Sequence, residues 1–248
     1  MVIKSSDKPI NSIHGLRKGL TTSLNHILID LDETIFNPLY NWQLFVQEAL
    51  SVHFTVKDIE MAGSMDNYFL NTPLYDEFVL VAEKLRKNDT LYKNVPLVDG
   101  ALAAVKQLNR HSKLKILGYL SARPLGVLDA TIEEITNHNL PLVPIILRNN
   151  ETNFYSSVEW KIQVVTQVLD LCETKLIIID DNHEFMTSLR SKFAHNKDII
   201  CIYFKGPLSN RTIGKNEILS NENENFFIAD WTEIPAICFN TVQSLQVK

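Results

Sequence analysis

Apolar residues in this chain fall into short unbroken runs separated by stretches with a helical period. Residues 1–25 show neither pattern; they are mixed polar and basic, and are read as an extension of uncertain structure. At His26 the pattern changes. Ile27, Leu28 and Ile29 form a run that ends on Asp30, as expected of a parallel strand buried on both faces. Asn37 and Pro38 signal a helix start, and Trp42, Phe45, Val46 and Leu50 continue it. A second helix, from about Leu74 to Arg86, places Phe78, Val81, Ala82 and Leu85 on one face, so residues 37–94 read as mainly helical. After Pro96 and Gly100 the alternation becomes regular. Residues 101–109 read as a helix, 115–120 as a strand, the stretch after Pro124 as a helix and 143–148 as a strand. Then come a helix over 159–171, a strand over 176–179, a helix over 183–192, and strands over 199–204 and 226–229.

Strands alternating with helices of this length predict right-handed crossovers and a mostly parallel sheet covered on both faces, an α/β Rossmann-like fold. The core is expected in residues 26–36 and 95–248, with the helical interval 37–94 inserted after the first strand.

Composition changes this picture little. At 248 residues, with 45% hydrophobic and 21% charged residues, the chain has the material for a full core. The net charge of -5 favours small phosphorylated partners over a nucleic-acid backbone, without ruling the latter out. No apolar run approaches the roughly 20 residues of a membrane span and the first residues lack a signal-peptide pattern, so no membrane partner and a cytoplasmic location are expected. The three cysteines, Cys172, Cys201 and Cys238, are scattered and indicate neither a disulfide framework nor a zinc site. Nothing here bears on oligomeric state.

In an open parallel sheet, ligands bind outside the carboxyl ends of the strands. Polar residues gather there. Asp30 and Asp32 end the first strand, Ser121 ends the second, Asp180 and Asp181 end a later one, and Lys161 opens the intervening helix. Aspartates meeting in one cleft repel one another unless a cation neutralises them, and magnesium, a hard ion that keeps waters and phosphate as partners, is the natural candidate.

These residues resemble the motifs of the haloacid dehalogenase-like phosphohydrolases. A strand followed by DxDxT stands as ILIDLDETIF, a strand ending in Ser or Thr as ILGYLSARP, a lysine near a helix start as Lys161 in VEWKIQ, and a strand ending in DD as LIIIDDN. The resemblance covers about residues 26–205 with all four motifs in order. It implies that Asp30 is the nucleophile, that Asp32 is the acid and base and lends its backbone carbonyl to the metal, and that Ser121 and Lys161 hold phosphoryl oxygens. It also implies that Asp30 and Asp181 bind Mg2+, with Asp180 orienting Lys161 or a metal-bound water. About 80 residues separate the first motif from the second, a spacing similar to that of family members with a C1-type cap after the first strand, such as deoxyribonucleotidases.

The resemblance therefore implies hydrolysis of a small phosphate monoester, with nucleotides the first class to consider. A polynucleotide-end phosphatase and a non-catalytic binding protein stay open as alternatives. Among neighbouring residues, Thr34 reads as a turn hydroxyl. Arg123 reads equally as a contact for a substrate anion and as a surface ion pair. Trp42, Phe45 and Trp160 read as packing rather than as stacking platforms.

Overall fold

In the computed structural model, residues 16–17, 20–21, 23–149, 156–206, 208 and 225–243 are described. Among the described residues six strands, β1 (Asn25–Ile29), β2 (Leu114–Pro124), β3 (Ile145–Arg148), β4 (Leu176–Asp180), β5 (Ile199–Phe204) and β6 (Phe226–Ala229), form one sheet in the order β3-β2-β1-β4-β5-β6. Every pairing is parallel. The order reverses at β1, which lies between β2 and β4, and at such a switch point a ligand crevice is expected at the carboxyl ends of those strands.

The apolar runs become strands because both of their faces are covered. Ile27 and Ile29 of β1 point into a cluster with α5 (Ala101–Arg110), α6 (Leu128–Asn137) and α9 (Ile234–Gln243), through Val105, Leu108, Ile135, Ile234 and Cys238. Leu28, between them, points to the opposite cluster with α7 (Ser157–Leu169) and α8 (His183–Lys192), through Val165, Val168, Phe185 and Leu189. Period-two alternation between two apolar layers is why the run contains no polar position. At Gly118 in β2 a Cβ would meet the Pro144 carbonyl oxygen at 2.6 Å, so the approach of the connection before β3 requires glycine there.

Between β1 and α5 lie α1 (Leu39–Leu50), α2 (Val56–Ala62), α3 (Met65–Phe69), α4 (Tyr75–Arg86) and a 3-10 turn, Asp89–Tyr92. They pack around an apolar cluster of their own, with Val46, Phe54, Ile59, Phe69 and Phe78 at its centre. The Phe69 and Phe78 rings stack at 4.6 Å. Trp42 packs against this cluster and Trp160 is buried in the α7 layer, as expected of packing residues.

Some elements differ from the sequence expectation. β2 runs on to Pro124, so Ser121 lies within that strand rather than at its end, and a 3-10 turn, Leu125–Val127, precedes α6. Helix α9 was not expected, because Pro235, the β-branched residues and Phe239 in IPAICFNTVQ hide its period. β1 begins one residue earlier than expected, and Leu16 is buried against the α7 layer. The cysteines are free, and burial pushes Cys201 and Cys238 up to about 12 and Cys172 up to about 11.

His26 ties the segment before β1 to the sheet. Its Nε2 accepts from the Thr21 N–H at 3.2 Å, and its Nδ1 lies 3.1 Å from Thr174 Oγ1, which donates to the Leu24 carbonyl at 2.6 Å. Burial, followed by repulsion from Lys115, lowers its pKa below the usual 6.5. The unfolded chain therefore takes up the proton first, and this histidine's contribution to stability is present above pH 6.5 and lost as pH falls below it. The thermal midpoint of the wild type should drop more between pH 7 and pH 5 than that of His26→Gln; parallel declines would show that His26 is not a source of acid sensitivity.

Candidate active site

Asp30 follows the last residue of β1, and its backbone N–H donates to the Ile179 carbonyl at 2.9 Å, which sets it beside the end of β4. Asp180 is the last residue of β4. Between these two carboxylates lies Lys161, whose Nζ donates to Asp30 Oδ1 and to Asp180 Oδ2, each at 2.7 Å. Lys161 reaches this point because α7, started by a capping box of Ser156 and Glu159, turns the face carrying Val158, Lys161 and Val165 toward the sheet.

Asp180 also accepts the Asn182 N–H on Oδ1 at 2.8 Å, while the half-buried Asp181 accepts from Thr34 Oγ1 at 3.3 Å. Carboxylate oxygens of Asp30, Asp180 and Asp181 all lie within 4.8 Å of one another. Ser121 is buried on the neighbouring β2, where its Oγ accepts the Arg123 backbone N–H at 3.2 Å, and its hydroxyl proton can still be donated.

The Asp32 carboxylate stands apart from the three-aspartate group and faces Arg123. The Arg123 Nε donates to both of its oxygens, at 3.1 and 2.9 Å, and Nη2 donates to Oδ1 at 2.6 Å. Arg123 thus forms an ion pair, as one reading of its position in the sequence has it, but a buried one with Asp32 rather than one at the surface. Burial opposes its charge, but attraction and hydrogen bonding from Asp32 outweigh that and raise its pKa.

Negative charge predominates. Burial pushes the Asp30 carboxyl up to about 7 against the pull of Lys161, and Asp181 is raised by burial together with Glu33 and Asp30. The Lys161 ammonium is held charged: burial works against it, and Asp180 and Asp30 prevail. The carboxylates of Asp30, Asp180 and Asp181 share the one ammonium of Lys161, and Glu33 adds a fourth carboxyl beside Asp30 and Asp181. An all-oxygen donor set with this shortage of positive charge fits a hard divalent cation such as magnesium.

Glu33 was not singled out in the sequence, because it occupies an unspecified position of DLDET. It adopts a left-handed conformation with φ of 61° that turns it toward Asp181, and burial, then Asp32 and Asp30, push it up to about 8. Gly206 lies against it, where a Cβ would meet the Glu33 carbonyl oxygen at 2.7 Å. Nor was Tyr92 anticipated, although its ring lies 4.4 Å from the Arg123 guanidinium carbon.

No protein-family model and no curated protein matches the sequence. Solved structures match the fold. A presumptive haloacid dehalogenase-like hydrolase from Burkholderia xenovorans superposes with a TM-score of 0.53 at 12% identity, over 88% of this chain and 98% of that one. A presumptive phosphatase from Clostridium difficile gives 0.57 at 15% identity over 87% and 98%. A presumptive phosphoglycolate phosphatase from Lactobacillus plantarum gives 0.55 at 10% identity over 87% and 99%. An L-2-haloacid dehalogenase also matches, with a TM-score of 0.51 at 11% identity over 87% and 99%.

Proposed function

From the premise that this chain has the haloacid dehalogenase-like fold, we propose that it is a magnesium-dependent hydrolase of small phosphate monoesters, with residues 37–94 serving as a cap over the crevice. The observation that carries the reading is the convergence of Asp30, Lys161, Asp180 and Asp181, from three separate parts of the chain, at the carboxyl ends of β1 and β4. Asp32 favours a phosphatase over a dehalogenase, because an acid at that place serves an alkoxide leaving group and has no use with a halide.

In this reading a carboxylate oxygen of Asp30 attacks phosphorus, the bond to the leaving oxygen breaks, and Asp32 supplies that oxygen with a proton. Water then attacks the aspartyl-phosphate, gives its proton to Asp32, and releases phosphate with Asp30 restored as a carboxylate. Ser121 donates to a phosphoryl oxygen, and Lys161 offsets negative charge beside Asp30. Asp30, Asp181 and the backbone carbonyl of Asp32 would hold the magnesium, since both oxygens of Asp180 are already engaged by Lys161 and Asn182. The ion, when bound, supplies charge neutralisation and orients the phosphoryl group.

Phosphate release measured over a panel of sugar phosphates, nucleotides, aryl phosphates and end-phosphorylated oligonucleotides tests this. Activity on small monoesters, abolished by chelation and restored by magnesium, is expected. Calcium should substitute poorly because its shell is larger and looser. Halide release from 2-haloacids without phosphate release would overturn the assignment in favour of dehalogenation.

A further inference from the structure

Arg123 is an expensive residue to bury. Its side chain has 0% exposure, whereas its partner Asp32 keeps 30%. A buried guanidinium persists only where it is well partnered, and here each of its three nitrogens donates. Nε and Nη2 form a fork on the Asp32 carboxylate, and Nη1 donates to Thr131 Oγ1 at 3.2 Å. The Thr131 hydroxyl passes its own proton to the Val127 carbonyl at 2.9 Å, so its lone pair is fixed toward the arginine. The Tyr92 ring lies 4.4 Å and the Phe36 ring 5.3 Å from the guanidinium carbon. Tyr92 is the last residue of the turn that closes the helical insertion, and its hydroxyl donates to the Arg86 carbonyl at the end of α4, at 3.0 Å.

We propose that Arg123 is a positioning residue that fixes the Asp32 carboxylate in the orientation from which it gives and takes the proton, and that Tyr92 ties that orientation to the helical insertion. The assignment rests on the phosphohydrolase reading above and deepens it. Asp32 lies beyond the end of β1, where a carboxylate left to itself would turn freely about χ1 and χ2. A two-point fork from a planar, immobile guanidinium removes that freedom. The carboxylate remains partly open on its other side, as a proton-transfer group must. The last turn of the insertion ends on the tyrosine that faces the guanidinium, so a shift of the insertion is felt at Asp32 through a single side chain, that of Arg123.

The test compares two esters by rapid quench. An alkyl phosphate needs the leaving oxygen protonated, whereas p-nitrophenyl phosphate does not. In Arg123→Gln, phosphoenzyme formation from the alkyl ester should slow by about 10- to 100-fold relative to p-nitrophenyl phosphate, the scale expected for a misplaced catalytic group. Adding Arg123→Gln to Asp32→Asn should then cost nothing further. A purely structural role would lower both esters alike, through the folded fraction, and would add its loss to that of Asp32→Asn; either result overturns the assignment. Should Arg123→Gln fail to fold by circular dichroism, Tyr92→Leu decides, because it leaves the ion pair in place: the same ester-selective loss, smaller in size, supports the proposal, and equal losses overturn it. Wild-type protein that releases phosphate from neither ester overturns the hydrolase reading and this assignment with it, whereas an active wild type with unselective variants overturns this assignment alone.

Discussion

Asp30→Asn should form no phosphoenzyme and should lose turnover by at least about 10⁴-fold, the scale seen when a nucleophile is removed from a site that otherwise stays intact. Asn keeps the shape and removes the charge, so the fold should survive; the Asp30 carboxyl is already pushed up to about 7 by burial, and a neutral group there relieves repulsion from Asp180. Asp32→Asn should fail differently. The nucleophile remains, p-nitrophenyl phosphate still loads Asp30, and the aspartyl-phosphate then persists because water lacks its base. Quenching with labelled substrate distinguishes the two. Label retained on Asp30 in the Asp32→Asn protein is the expected result; label on another residue, or undiminished turnover in Asp30→Asn, would refute the assigned roles.

Replacing Lys161 with Met should be the most damaging single change to stability in the site. Its ammonium, 7% exposed, is shared between Asp30 and Asp180, and removing it leaves two buried carboxylates facing each other. Breaking such a buried pair costs about 3–5 kcal/mol. The cost should depend on pH, with a sign that follows from the carboxyls. The native pKa of Asp30 lies above the unfolded value, so the folded variant binds a proton there more readily than the unfolded chain, and the variant loses stability as pH rises through the native pKa. Urea unfolding of metal-free Lys161→Met should therefore show a larger deficit against wild type at pH 8 than at pH 5.5. Added magnesium should recover part of it by binding the native state alone. A deficit of the same size at both pH values would mean that the ammonium does not compensate these carboxylates.

The runs that became β1, β4 and β5 were readable in the sequence because strands buried on both faces tolerate no polar residue. The polar residues that end them were readable for the same reason, as breaks in an otherwise unbroken run. Lys161 had the weakest signal of the four motifs, yet it sits at the centre of the constellation. A mark was present: it occupies an apolar stripe with Val158, Val165 and Val168, where a solvated lysine has no business. Arg123 was legible as a cation at the right rim, but its partner lies 91 positions away and only the folded sheet brings the two together. Glu33 was hidden because its importance comes from a left-handed backbone, which a glutamate gives no reason to expect. The short helices of the insertion and α9 escaped because their packing, rather than their propensity, makes them helical.

The two strands of chain that lead into and out of the insertion meet at its base. The Asn37 N–H donates to the Pro96 carbonyl at 2.8 Å, and Phe36 forms an antiparallel bridge with Leu97. From the standpoint of the sheet, everything between is a loop whose ends are already joined. Closing a longer loop costs only about 0.6 kcal/mol for each doubling of its length, so the scaffold is nearly indifferent to how much chain is placed there. Such a base is a socket: chain length can be added or removed within the insertion, away from Leu91 and Tyr92 that pack on Val127 and Ala130, without retuning the strands that carry the aspartates. The same arrangement makes the outer part of the insertion, away from Leu91 and Tyr92, the position at which a foreign module, a fluorescent reporter for instance, could be grafted while the sheet folds as before.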